Sequence, residues 1–448
     1  MTGGTNGAGG LARRLGVFDA TMIVMGGIVG AGIFRNPSVV AQQVGTPSLM
    51  LGAWVAGGVI ALAGAFVYAE LAQRRPEVGG QYAYIRDAFH PMAAFLYGWT
   101  LLLVTQTGGM AAVAMTFADY FRELTGLDVP RSAIAVATLA TLTVINCLGV
   151  RSGSNVQSTL MIVKIAAILM LVLLGWRAVR SENFSAPPAH SRNSFLAAMV
   201  PVLFAYGGWQ TASFVSGEMR DPERDLPRGL LYGVLGVVAL YLAVNVVCIL
   251  VLGPETLAAT QTPASEVMRK ALGEGGARLI AAGIAVSTVG FLSQGMLTAP
   301  RVYYAMARDG VFFQRVGTLN EKTRAPVTAI ALQGTWACAI VLFFQLYGPV
   351  LNYVVALDAV FFGLTGAALL VFRRRDPVAV KGLSMPGHPV TTLVFVLAFW
   401  TLALSTILKF SADAGMGVLI LLLGVPVYVY WSRRAPSSAF AAKKSDRM

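Results

Sequence analysis

MGGIVGAGIFRNP, residues Met25 to Pro37, is the stretch that decides the fold. It lies inside an apolar run from about Val17 to Val44. Such a run is long enough to cross a bilayer, which takes roughly 20 mainly apolar residues as helix. Yet its middle is poor in helix formers: Gly26, Gly27, Gly30 and Gly32 are separated only by Ile28, Val29 and Ala31. Each glycine costs about 0.8–1 kcal/mol relative to alanine inside a helix. A membrane helix that breaks leaves backbone N–H and C=O groups where no water reaches them, which is tolerated only at a cavity or inside protein. The break is therefore expected to be one half of a substrate site. The competing reading is close helix packing, since Gly26 with Gly30, and Gly27 with Ala31, have small-xxx-small spacing.

The rest of the chain is a membrane protein by composition. Of 448 residues, 56% are hydrophobic and 12% charged, against about 25% charged in soluble domains; the mean hydropathy is +0.67. The N-terminus, MTGGTNGAGGLARRLG, is Gly-rich. It is expected to be flexible and to carry no cleavable signal, because no small-residue cleavage site follows a short apolar stretch. The net charge of +13 is better explained by positive-inside topology than by nucleic acid. Cys147, Cys248 and Cys338 all fall in apolar runs, so buried thiols are expected rather than a disulfide framework.

About twelve runs of spanning length follow one another, near 17–44, 47–72, 91–121, 130–149, 154–176, 195–218, 229–253, 277–307, 326–347, 349–372, 389–410 and 414–432. Threading them across a bilayer puts 23 Lys and Arg on the side of the N-terminus and 10 on the other, with Lys164 inside a span. That bias predicts an even number of spans with both termini cytoplasmic. Two loops stand out. Glu70 to Pro91 is amphipathic, with Gly79–Gly80 as a turn, and reads as a cytoplasmic or re-entrant segment. Arg301 to Arg324 mixes basic and aromatic residues; Tyr303, Tyr304, Phe312 and Phe313 are expected to be interfacial anchors.

A second break matches the first. The sixth span contains FAYGGW, Phe204 to Trp209, with paired glycines between large aromatics. Glycine-interrupted helices at corresponding places in two halves point to a transporter site built on inverted repeats. A half-helix N-terminus offers free N–H groups and a positive dipole end to a carboxylate. The facing C-terminal end and unwound carbonyls suit an ammonium group. An α-amino acid carries both charges on adjacent atoms and fits such a pair of ends.

Lys164 sits several residues inside the fifth span. An ionisable residue there is a functional candidate by default, the bland alternative being a lysine that snorkels to the headgroups. As a functional group it has two readings. Its ammonium can fill a cation site between the first, fifth and eighth spans, in place of a coupling sodium ion. Burial also disfavours the charged form of an ammonium, so it could instead carry a coupled proton. Tyr241 in the seventh span, and Ser287, Thr288, Ser293 and Gln294 in the eighth, are candidates to line a core pathway, or are ordinary interhelical hydrogen-bonders. Glu218, close to Arg220 and Asp221, is a candidate for a gate or cap salt bridge; Glu70, Asp119 and Asp358 lie near span ends.

GAGIF at 30–34, YAEL at 68–71, GGQYAYI at 79–85, FAYGGW at 204–209 and YAMARDG at 304–310 together resemble the amino acid–polyamine–organocation superfamily, and within it a bacterial version of the L-type amino acid transporter family. The resemblance covers nearly the whole chain. It implies an all-α, LeuT-like membrane fold: two inverted repeats of five helices, at 15–176 and 194–373, then two more helices at 388–432, between a cytoplasmic N-terminus (1–14) and a cytoplasmic tail (433–448). It implies that Gly30, Ala31 and Gly32, with Ile28 nearby, offer backbone to a substrate carboxylate. Carbonyls around Phe204, Ala205 and Gly207 would meet the amino group, with Phe204 as a gating aromatic. The lysine of sodium-independent members falls on Lys164, and a seventh-helix tyrosine linked to the unwound first helix falls on Tyr241. Ser287 and Thr288 remain possible coupling residues. Two departures matter. The loop from Tyr120 to Arg131 has no cysteine, so a disulfide-linked partner glycoprotein is not expected. Gln210 stands where animal members commonly have Asn.

The expected function is secondary transport of L-amino acids across the cytoplasmic membrane, by alternating access and sodium-independent exchange. A proton-coupled amino acid or polyamine symporter is the alternative within this class, and an amino acid receptor without transport the alternative outside it. A channel would need a continuous polar stripe, which the spans lack. No P-loop or metal-ligating pattern appears, and His90, His190 and His388 each lie near a loop. Neither enzymatic activity nor a metal or cofactor is expected, and the partners are the amino acid and the lipid bilayer.

Overall fold

The computed structural model describes residues 11–189, 194–343, 347–409 and 411–434. The first expected run is two helices, α1 (Val17–Ile28) and α2 (Gly32–Val44), bent by 44° across the break. Then come α3 (Pro47–Arg74), α4 (Gln81–Ala88), and α5 (Pro91–Thr100), which continues through a π-helical turn at Leu101–Thr105 into α6 (Gln106–Thr125). α7 (Arg131–Cys147) and α8 (Val150–Gly175) complete the first half. The second half opens with α9 (Phe195–Tyr206), followed after two glycines by a 3₁₀ segment, Trp209–Glu218. α10 (Pro222–Ala259), α11 (Pro263–Thr298), α12 (Pro300–Arg308), α13 (Val327–Phe343), α14 (Tyr347–Arg375), α15 (Val390–Lys409) and α16 (Ser411–Arg434) follow. No strand occurs among the described residues; the one strand-like pairing is an isolated bridge between Leu15 and Met219.

The helix starts follow capping chemistry. Proline stands in the first turn of α3, α5, α10, α11 and α12, where its missing N–H costs nothing. Ser194 accepts from Ala197 N at 3.2 Å and so caps α9. Among the described residues, eight helices are long and apolar enough to cross a membrane, and the bent pair α1–α2 makes a ninth. The shorter apolar helices α7 and α13 also fall on expected runs, as does α16.

The two broken helices lie at the middle of the bundle. α1 packs on α8, α10 and the 3₁₀ segment; α2 packs on α9 and α10; α11 packs on α8 and α6. α14, α15 and α16 close the far side against α3, α4 and α5. The main core gathers Trp54, Tyr206 and Tyr241, whose rings meet at 5.1–5.7 Å between centroids.

Several expectations need correction. Arg14 is not part of a free tail: its N–H donates to Glu218 O at 2.9 Å, and Leu15 and Arg220 bond each other's strand. Residues 1–10, His190 and the tail beyond Arg434 lie outside the described residues. Tyr303, Tyr304 and Phe312 are buried rather than interfacial, because α12 turns inward under α5; only Phe313 is exposed. The Glu70–Pro91 loop does turn at Gly79 and Gly80, with φ of 91° and 45°, and then forms the short buried α4. The three cysteines are free thiols; Cys248 is buried and the other two are half-buried.

Candidate functional site

The glycines of the first break divide into two kinds. Gly26 and Gly27 are packed: a methyl group on Gly26 would fall on the Gln157 amide, and one on Gly27 would stand 2.6 Å from Gly208 O and 2.8 Å from Thr211 Oγ1. Gly208 faces back onto Gly27 O and has φ of 112°, a backbone conformation that favours glycine. The two broken helices therefore cross backbone to backbone at Gly27 and Gly208. Gly30 and Gly32 have no such crowding. Their nearest neighbours would be Phe291 at 3.6 Å and Asn36 at 3.5 Å. The packing reading thus holds for the first pair of glycines and fails for the second.

Around the break, residues are accessible that their neighbours along the chain are not. Gly30, Ala31, Gly32, Gly207 and Gly208 are half-buried between buried flanks. Phe204 is 42% exposed; it lies on α9 away from Val202 and Tyr206, which pack on Gly57 of α3. Gly32 faces Ala205: a methyl group added at Gly32 would stand 3.6 Å from Ala205 Cβ. α2 begins at Gly32, so the N–H groups at its start have no acceptor within the helix, apart from that of Phe34, which donates to Ala31 O at 3.2 Å. α1 ends at Ile28, with Val29 in an extended conformation, and the carbonyls at its end point out likewise.

Those carbonyls are met by donors from three other helices. Lys164 Nζ of α8 donates to Val29 O at 2.6 Å. The Tyr241 hydroxyl of α10 lies 3.1 Å from Ile28 O and 3.3 Å from Ala205 O, so one phenol joins the two breaks. Ser287 Oγ of α11 is 3.5 Å from Gly30 O, the outer limit of a hydrogen bond. Lys164 is 0% exposed and reaches inward, which disposes of snorkelling. It passes Gly290 of α11, where an added methyl group would stand 2.5 Å from Lys164 Cε. Thr288 is not at the break: its hydroxyl donates to Ala285 O, 2.7 Å away in its own helix. Gln210 is buried beside the second break, and its Oε1 has no hydrogen-bond partner among the described residues.

On the N-terminal side the bundle is shut. Glu218 and Arg301 form a bidentate ion pair at 2.9 and 3.0 Å with both side chains wholly buried. The partner of Glu218 is thus Arg301 of α12, not the neighbouring Arg220. Leu15 pairs with Met219 just outside it. Asp19 accepts from Ser154 at 2.9 Å and lies 3.8 Å from Arg151, joining α1 to α8. Glu70 is a joint of the far layer, bonded by Arg373 and Arg74 and by Met385 N. Asp119 pairs with Arg131 across the exposed α6–α7 turn, and Asp358 is half-buried within α14.

Sequence reasoning missed Gly290, Arg301 and the Asp19–Ser154 contact. Gly290 had a faint signal as a glycine inside an apolar helix. The others lie 83 and 135 positions from their partners along the chain, and nothing local announces them.

Known proteins resemble this chain in fold and in sequence. The chain folds like a Na+-coupled sialic acid symporter solved in a substrate-bound, outward-open state, with a TM-score of 0.57 and 12% identity over 89% of this chain and 91% of that one; at that identity the likeness is of fold. Among curated proteins it is 29% identical to the large neutral amino acids transporter small subunit 2 of Mus musculus, over 96% of this chain and 84% of the relative. It is 28% identical to a serine/threonine exchanger of Bacillus subtilis (strain 168), over 96% and 99%. It is 27% identical to the Asc-type amino acid transporter 1 of Homo sapiens, over 94% and 83%. The family model described as amino acid permease matches residues 15–429. The chain belongs to the amino acid permease family, within the amino acid–polyamine–organocation superfamily.

Proposed function

We propose that the protein exchanges L-amino acids across the cytoplasmic membrane by alternating access, without sodium. The observation that carries this is the lysine bond at the first break. A broken helix with outward-pointing carbonyls is a ready cation site, and here Lys164 Nζ already donates to Val29 O at 2.6 Å. A fixed ammonium at that place does the work that a bound sodium ion would do. The substrate carboxylate is assigned to the first-turn N–H groups of α2 around Gly30, Ala31 and Gly32, and the amino group to the Ala205 and Gly207 region, with Phe204 closing over it. The relatives' names, an exchanger and two amino acid transporters, favour the same substrate class.

In this reading the two repeats are 15–176 and 194–373, each opening with a broken helix, and α15 and α16 are additions to them. Both termini face the cytoplasm, so the closed side of the bundle is the inner side. The chain does no covalent chemistry and needs no glycoprotein partner. The test is release of labelled amino acid from preloaded liposomes in sodium-free buffer. Outside substrate should accelerate it many-fold, and Lys164→Ala should abolish the acceleration. Release that requires sodium contradicts the reading.

A proton-coupled symporter is the second reading, favoured by the complete burial of Lys164. An imposed inward proton gradient separates the two: strong stimulation of net uptake selects the symporter, and no effect selects the exchanger.

A further inference from the structure

We propose that Gln157 is a positioning residue of the inner gate: an α8 amide stranded without partners while α1 is packed against it, and solvated when α1 withdraws. This rests on the alternating-access reading above.

α8 turns one buried face toward α1. Ser154, Gln157, Met161 and Lys164 recur on it at spacings of three and four, and each is 0% exposed. The rungs above and below Gln157 are made. Ser154 donates to Asp19 at 2.9 Å, and Lys164 donates to Val29 O at 2.6 Å. Gln157 lies between them, and among the described residues neither its Nε2 nor its Oε1 has a hydrogen-bond partner. Its amide rests on Gly26, and the point where a Gly26 methyl would stand is also 3.6 Å from Gln294 Cγ. Gly26 is in the last turn of α1, yet no backbone group of that turn bonds the amide, whose Nε2 and Oε1 are both unpartnered among the described residues. On α11, Gly290 meets Lys164 and Leu297 meets Gly153, which brings Ser293 to the level of Gln157; the Ser293 hydroxyl is buried and unpartnered too.

A buried primary amide with both ends unpaired destabilises the state that buries it. That state is the one in which α1 lies on α8 and the inner side is shut. Moving α1 away lets water reach Gln157 and removes the penalty, whereas the Ser154 and Lys164 bonds oppose the movement. Gln157 thus sets the balance between closed and open inner forms, holding the closed form from being too stable to leave. Only glycine at position 26 lets the amide occupy this place.

The test replaces Gln157 by methionine, which keeps length and volume and removes the amide. The reporter is Ser154→Cys, in a background with Cys147, Cys248 and Cys338 replaced by alanine. A charged, membrane-impermeant thiol reagent is applied to the inner face of inside-out vesicles. Gln157→Met should lower the labelling rate about tenfold, the factor set by one unpaired buried polar group. The maximum exchange rate should fall with it, while the apparent affinity for outside substrate stays the same or tightens. Gln157→Asn, which keeps the amide, should restore labelling. Gln157→Leu answers the same question should methionine not fit. Labelling and exchange rates unchanged or raised in both apolar variants would overturn the proposal. Failure of the transport reading is separate: the unaltered chain would then show no exchange, while the labelling difference could still be read.

Discussion

Lys164 is the residue on which the proposed site turns. An ammonium inside an apolar bundle survives only with hydrogen-bonded partners, and its partner here is a carbonyl freed by the helix break. Gly290 is what makes the approach possible. Overpacking a filled core by one methyl group costs about 1–3 kcal/mol, and here the added methyl pushes on the lysine stem itself. Gly290→Ala is therefore predicted to cut exchange at least tenfold, approaching Lys164→Ala, with folded protein still recovered. Exchange at the normal rate in Gly290→Ala would mean that the lysine has room to spare. Tyr241→Phe removes the hydroxyl shared by Ile28 O and Ala205 O. Leaving buried acceptors unpaired costs about 1–3 kcal/mol, so the apparent affinity for substrate should weaken about tenfold, measured by competition in binding. Lys164 and Tyr241 were legible in the sequence as polar groups in apolar spans. Gly290 was not, because a glycine that makes room looks the same as one that merely packs.

At the scale of elements, the paired breaks are what the glycine pattern predicted, but the four glycines at 26–32 do two jobs. Gly26 and Gly27 serve packing and Gly30 and Gly32 do not, a distinction that only the partners Gln157 and Gly208 reveal. Gly208→Ala adds a side chain at φ of 112° against Gly27 O, so it should fail to yield folded protein, read as loss of a monodisperse peak on size exclusion. Gly30→Leu meets only Phe291, at ordinary van der Waals distance for its first carbon, and should fold, yet lose substrate binding. The same result for both variants would erase the division. After its glycines the sixth span resumes as a 3₁₀ segment. Its inner end is held by Arg301, and removing one member of a buried pair costs about 3–5 kcal/mol. Glu218→Gln is predicted to lower thermal stability by several degrees. It should also expose a cysteine at Leu15 to reagent from the inner face. A Leu15→Cys reporter that stays protected would show that the ion pair does not hold the inner side shut.

For the whole molecule, span order and charge bias were enough to predict an all-helical membrane bundle. Apolar runs of bilayer length leave few alternatives, and the broken pair narrows them to a transporter. What could not be read were contacts between helices distant in sequence: the Leu15–Met219 bridge and the inward turn of Tyr303 and Phe312. An aromatic-basic loop looks the same in sequence whether it lies at an interface or folds under a neighbouring helix. The structure is shut at the N-terminal end and accessible around Gly30, Gly207 and Phe204; with both termini cytoplasmic, as proposed, this is the form that would receive substrate from outside. The central claim is that this accessible pair of breaks binds an amino acid and passes it across in exchange, with Lys164 in place of sodium. It is tested most directly by loading liposomes containing the protein with a labelled neutral amino acid and following its release in sodium-free buffer. The account predicts slow release alone, release accelerated many-fold by outside amino acid, and no acceleration in Lys164→Ala. Acceleration that appears only with sodium, or that persists undiminished in Lys164→Ala, would contradict it.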